Sequence, residues 1–205
     1  MKIGGLSVIE RSLNGYPGRI STILKPDGVK KCKFCGCGAV TPGIDFELVK
    51  KNLLEDNPMV TAIMLEGCEF LNNNDLLTEI ASWSKNNNVK VGLNQCGTNS
   101  ENLKHALKNE LLDFVRIELD VSDWHKCVDL LKKSVGLIRA SGVDYEFCVN
   151  LSKKQLKIAE LEKIYKMVSP CRVFAVCGPG LRGAELEELF NFAQKNKNVI
   201  LRLWG

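Results

Sequence analysis

The chain has 205 residues, 45% hydrophobic and 25% charged, with a formal net charge of +4. That is the balance of an ordinary globular protein and excludes disordered, collagen-like and low-complexity classes. No apolar stretch approaches the roughly 18 residues of a membrane span, and the lysines are dispersed among acids, so neither membrane nor nucleic acid is an expected partner.

Two textures alternate along the chain. Short β-branched runs predict strands over residues 20–24, 60–65, 89–93, 114–119, 145–149, 172–176 and 199–203. Helical periodicity predicts helices over 46–55, 74–85, 100–108, 122–140, 154–168 and 184–195. Asp45 and Asp75 are placed to start helices, and Asn99 or Ser100 to cap the third by accepting a free N–H. Tyr16-Pro17-Gly18 reads as a turn, with proline presetting φ. Strand–helix alternation implies a parallel sheet with helical crossovers. Six units and a terminal strand are too few for an eight-unit barrel and suit an open, curved partial barrel. A doubly wound open sheet is the alternative. Residues 1–205 read as one domain, and MKIGGLSVIERSLNGYPG lacks the apolar core of a signal peptide, so the expected location is cytoplasmic.

In either fold, ligands sit at the C-terminal ends of the strands. Five of the six expected strand ends carry cysteine. The first is followed by KPDGVKKCKFCGCG, with Cys32, Cys35 and Cys37; the second by Gly67, Cys68 and Glu69. The third ends with Asn94 and Cys96, and the fourth with Glu118 and Asp120. The fifth carries Cys148 and Asn150, and the sixth ends at Cys177. Taken singly, Cys127, Cys148 and Cys171 read as buried packing residues. Cys32, Cys35 and Cys37 do not, because three thiols in a Gly- and Lys-rich loop read as metal ligands. Lys30, Lys31 and Lys33 would lower their pKa, and Gly36 and Gly38 let backbone N–H groups approach the thiolates. A closed zinc site or a four-cysteine iron–sulfur cluster needs one more ligand, for which Cys68 and Cys96 are the candidates. With three ligands, a cluster keeps one open iron. With only His105 and His125 present, chemistry built on several histidines is unsupported. His125 reads as a satisfied surface residue. Gly178-Pro179-Gly180 reads either as a plain turn or as an anion site at a helix start.

The stretch from Asn14 to Ile23, the cysteine loop and the Gly-Cys-Glu-Phe at 67–70 together resemble the radical S-adenosylmethionine (SAM) superfamily. Within it, the chain is most similar to the activating enzymes of anaerobic ribonucleotide reductase and pyruvate formate-lyase. Those carry DYPG, a C-x3-C-x2-C loop and GGEP. VGLNQCGTN and LLDFVRIELDV are similar to their LNTNGT and DYVxxDxK regions. The loop here is C-x2-C-x-C, with Val29 at the first family cysteine; Gly15 replaces the Asp of DYPG, and Cys68 replaces a glycine.

The resemblance implies a (β/α)6 partial TIM barrel, in agreement with the unit count. It implies a [4Fe–4S] cluster held by Cys32, Cys35 and, on spacing, Cys37. It implies SAM bound by Gly67, Cys68, Glu69, Asn94 and Asp120. The family's reaction is reductive cleavage of SAM to a 5′-deoxyadenosyl radical. Its partners would be a protein such as a glycyl radical enzyme and a flavodoxin- or ferredoxin-type electron donor. Two alternatives stay open: a cluster protein that does not cleave SAM, and a zinc-stabilised module.

Overall fold

The computed structural model describes residues 6–26, 45–55, 58–121, 124–151, 158–179 and 183–204. They form one eight-stranded sheet whose spatial order is the chain order. Strand β1 (Leu6–Ser12) runs antiparallel to β2 (Ser21–Pro26). From β2 onward every pair is parallel: β3 (Ala62–Glu66), β4 (Lys90–Gln95), β5 (Phe114–Asp120), β6 (Asp144–Asn150), β7 (Val173–Pro179) and β8 (Val199–Trp204). The helices are α1 (Phe46–Glu55), α2 (Asn74–Asn86), α3 (Ser100–Lys108), α4 (Val128–Ser141), α5 (Ile158–Val168) and α6 (Ala184–Lys195). A doubly wound sheet reverses its strand order partway across. This one never does, so the partial (β/α)6 barrel is the observed fold.

Alternation along each strand sorts the side chains. Leu24, Ile63, Leu65, Leu93, Val115, Ile117, Phe147, Val149, Phe174 and Val176 join the buried helix residues Ile80, Leu103, Leu131, Ile138, Leu161 and Leu189 in one main core. The alternate residues face the barrel interior. At its N-terminal end these are Ile23, Met64 and Phe114, with Tyr16 packed against them. Tyr16 and Phe114 lie 5.2 Å apart, centroid to centroid. Gly92 makes room for this plug: a Cβ there would lie 2.7 Å from Met64 Sδ and 3.1 Å from Tyr16 Cδ2.

Strand β1 is not among the expected strands. Leu6 is buried and Val8 packs on the main core, so the strand covers the open edge of β2. The connection into β2 contains the expected turn: the Arg19 N–H donates to the Tyr16 carbonyl, and Gly18 takes a positive φ of 71°. A Cβ at Gly15 would collide with the Ser21 hydroxyl, which accepts from the Tyr16 N–H at 3.1 Å. Ser21 thus fills the space that an aspartate at position 15 would need.

Three helices match expectation at both ends. Asp45 caps α1 by accepting from the Leu48 N–H at 2.9 Å. Helix α2 is capped by Asn73, which accepts from the Leu76 N–H, and Asp75 falls within the first turn instead. Asn99 occupies the cap position of α3 but makes no side-chain cap bond; its amide donates to Asn72. Helix α4 begins at Val128, later than expected, because Trp124–Lys126 forms a short 3-10 turn that buries Trp124. Residues 152–157 lie outside the described set, and α5 is described from Ile158.

Candidate functional site

The C-terminal ends of the parallel strands carry a continuous polar array. Glu66 pairs in register with Asn94, Glu118 with Cys148, Asp120 with Asn150, and Asn150 with Cys177. Residues paired in this way share a face, so all of them line the barrel interior. Glu118 is the hub. One carboxylate oxygen accepts from Asn94 Nδ2 at 2.6 Å, and the other from Asn150 Nδ2 at 2.7 Å. Asp120, two residues further along β5, lies on the same face and is half-buried.

Gly67 follows β3 directly. Its φ of 126° is a conformation that L side chains rarely adopt, and its N–H donates to the Asn94 carbonyl at 2.9 Å. A Cβ at Gly67 would collide with a Glu69 carboxylate oxygen and lie 3.5 Å from Pro26 Cγ. Glu69 therefore folds back over a glycine that must stay bare. Cys68 and Glu69 are half-buried and open a 3-10 turn, Cys68–Asn72. That turn is fixed by buried Phe70 and Leu71, and by the Asn72 side-chain oxygen, which accepts from Asn99 and Asn102 at 2.9 and 2.8 Å. The loop after β4 is also held: Gly97 N–H donates to Gln95 Oε1, and Ser134 donates to the Gly97 carbonyl, each at 2.8 Å.

Two polar atoms in this region carry a further implication. Asn94 Oδ1 and Gln95 Nε2 are buried and have no hydrogen-bond partner among the described residues. A buried amide oxygen without a donor is unfavourable by roughly 1–3 kcal/mol. The arrangement thus presents an acceptor, a carboxylate at Glu69 and a bare glycine at adjacent strand ends. That set of acceptors suits a small ligand with an ammonium group.

The structure brings Gly67, Glu69 and Asn94 together through direct contacts. Asp120 stands beside the Glu118–Asn150 pair. Cys68 flanks Gly67. Cys32, Cys35 and Cys37 lie outside the described residues. Among the described residues, no group of three His, Cys, Asp or Glu side chains is arranged to hold a metal ion. Cys127 is buried and its thiol donates to the Trp124 carbonyl, as a packing residue would. Cys171 is also buried, and burial pushes its thiol up to about 11. His125 is satisfied as expected, by Glu160 at 2.8 Å and by a tilted ring contact with Trp124. Gly178 sits against Leu151, where a Cβ would lie 2.7 Å from Leu151 Cβ; residues 180–182 are outside the described set.

Sequence reasoning named Glu118 and Asn150 without giving either a role. The period of two on β5 already put Arg116, Glu118 and Asp120 on one face, which is the signal that identifies them. Below Glu118, the buried Glu146 carboxylate accepts from Arg116 and from Arg202, the latter at 3.2 and 3.3 Å. Burial opposes the Arg202 charge, but the Glu146 bond and charge outweigh it and raise its pKa.

No family model matches the chain. It is 23% identical over 190 residues to a Methanocaldococcus jannaschii protein provisionally named a glycyl-radical enzyme activating enzyme, covering 82% of this chain and 77% of that one. Among solved structures, type I 3-dehydroquinate dehydratase from Clostridium difficile superposes with a TM-score of 0.52 at 12% identity, covering 76% of this chain and 69% of that one. The carboxyl transferase domain of Rhizobium etli pyruvate carboxylase gives 0.47 at 14% identity over 76% of this chain and 30% of that one. The dehydratase shares the fold alone. The chain is a distant homologue of the activating enzyme, the class that its own motifs resemble.

Proposed function

We propose that the protein is a radical SAM activating enzyme that modifies a protein partner of the glycyl-radical type. The observation that carries this reading is the Gly67–Glu69–Asn94 constellation, with its unpartnered Asn94 oxygen at the strand ends where the resemblance expects SAM. The distant activating-enzyme homologue supports the same class. Cys32, Cys35 and Cys37 would hold a [4Fe–4S] cluster. Bound there, it would supply one-electron chemistry for reductive cleavage of SAM.

The chain's own residues do the binding and positioning. Glu69 and Asn94 Oδ1 accept from the SAM ammonium group. Gly67 keeps the approach open, and Glu118 orients the Asn94 amide so that its oxygen, not its nitrogen, faces the ligand. Asp120, at the end of β5, is placed to receive the ribose hydroxyls. The buried core beneath the site limits water at the reacting end.

The test is anaerobic purification, reconstitution with iron and sulfide, and reduction in the presence of SAM. The expected result is about four irons per chain and 5′-deoxyadenosine, with loss of iron in Cys32→Ala, Cys35→Ala and Cys37→Ala. Asn94→Ala should keep the iron and weaken SAM binding about tenfold or more, the loss of one buried hydrogen bond to a charged group. Iron without nucleoside would overturn SAM cleavage and leave a cluster-binding protein. Tightly held zinc without iron would overturn both.

A further inference from the structure

The proposed SAM chemistry leaves two interior thiols unused. Cys148 on β6 pairs in register with Ala175, and Cys177 on β7 pairs with Asn150. Both side chains face the barrel interior, and their sulfurs stand 3.0 Å apart. That separation fits one thiol donating its S–H to the other sulfur. Packing cysteines ordinarily sit among apolar groups and are inert. This pair packs on Ala175 and Val173 but also reaches the polar array, since Cys148 Sγ lies 4.0 Å from Asn150 Oδ1 and Asn150 is bonded to Glu118. Arg202 is the residue in register with Cys177 on β8. The two thiols are unequal. The shared hydrogen bond and burial push Cys148 up. The same bond pulls Cys177 down against burial, assisted by the Arg202 charge and opposed by Glu118.

We propose that Cys177 and Cys148 form a peroxide-reactive dithiol that closes to an intramolecular disulfide between β6 and β7. Cys177 is the attacking thiol and Cys148 the resolving one. The Cys177 thiolate attacks one oxygen of hydrogen peroxide. The S–O bond forms, the O–O bond breaks, and hydroxide leaves to take up the thiol proton as water. Cys177 is then a sulfenic acid. The Cys148 sulfur attacks Cys177 Sγ, the S–S bond forms, and the S–O bond breaks. The hydroxyl departs as a second water with the Cys148 proton. Two thiols lose two electrons and two protons, and one peroxide becomes two waters. A small neutral oxidant suits this site, because Cys177 is 7% exposed and Cys148 3%.

The inference does not depend on a bound cluster or on SAM. The full chain, anaerobically purified and reduced, would be treated with one equivalent of hydrogen peroxide. Remaining thiols would be alkylated and the protein digested without reductant for mass spectrometry. The expected product is a Cys148 peptide joined to a Cys177 peptide, about 2 Da lighter than the two free thiol peptides and separated by dithiothreitol. In Cys148→Ser, Cys177 should be trapped by dimedone as the sulfenic acid. In Cys177→Ser, Cys148 should stay alkylatable, with its oxidation at least tenfold slower. Cys148 and Cys177 both remaining alkylatable in the unaltered chain, while other cysteines oxidise, would overturn the proposal. Sulfenic acid trapped on Cys148 in Cys177→Ser as fast as on Cys177 in Cys148→Ser would overturn the order of attack.

Discussion

The two ends of the barrel interior are built from the same strands with opposite chemistry. At the N-terminal end, Ile23, Met64, Phe114 and Tyr16 close on Gly92 as an apolar plug. The charges around it are neutralised in pairs: Lys90 with Asp113 at 2.7 Å and Arg172 with Asp144 at 2.8 Å. At the C-terminal end, the same face carries Asn94, Glu118, Asp120, Asn150, Cys148 and Cys177, with one buried acceptor, Asn94 Oδ1, left over. The plug satisfies itself; the mouth does not. Buried polar groups without partners are unfavourable and persist where a ligand completes them. One sheet thus separates an apolar end from a polar end with an unpartnered acceptor, and Glu146 with its two arginines marks the boundary.

That boundary is where the largest stability effect is expected. Glu146→Ala removes the only carboxylate among the described residues that is bonded to both Arg116 and Arg202. It leaves a buried Arg116 uncompensated, and breaking such a pair is unfavourable by about 3–5 kcal/mol. Urea denaturation should show a lower midpoint with an unchanged slope. A loss below about 1 kcal/mol would mean that the charges are solvated and that the boundary is no barrier to water.

Glu118→Gln moves to the mouth and has a smaller expected effect. The substitution keeps the shape but turns one acceptor oxygen into a donor nitrogen that faces an amide Nδ2. The stability loss should be about 1–3 kcal/mol. SAM affinity should fall in the same variant, because Asn94 is then free to rotate its amide. Phe114→Leu in the plug is the contrasting case, with a loss under about 1.5 kcal/mol expected for a large apolar swap that keeps most of the volume and unchanged SAM affinity. If both variants shift affinity equally, the two ends are not separate.

Much of this division was legible in the sequence. Alternating strands and helices gave six units, and α1, α3 and α6 fall on the predicted residues because their apolar periodicity marks both ends, with Asp45 also capping α1. Strand β1 was not legible. Its burial depends on pairing back onto β2, which no local pattern announces. At the site, the strand-end positions of Gly67, Asn94 and Asp120 could be read directly. The role of Glu118 could not, since it depends on which residues of β4 and β6 lie opposite, and register is set by helix and loop lengths taken together. The Cys148–Cys177 contact was hidden for the same reason: Cys148 alone reads as packing and Cys177 as a strand-end thiol, and only the β6–β7 register makes them a pair.

The smallest effect is expected at the plug and is seen only in alkali. Burial, with the Asp113 charge next, raises the Tyr16 phenol to about 12 from its ordinary 10.0. Below pH 10 the phenol is neutral in both folded and unfolded chains and the contribution is fully present. Between pH 10 and 12 the unfolded chain gives up the proton first, so stability falls as pH rises through that window. Tyr16 is half-exposed, so screening holds the loss to about 1 kcal/mol or less. Tyr16→Phe should flatten this part of the stability profile while leaving the response below pH 10 unchanged. A profile that still falls by the same amount in Tyr16→Phe would assign the alkaline loss to another titrating group, for which Cys171 is the candidate because burial pushes its thiol up to about 11.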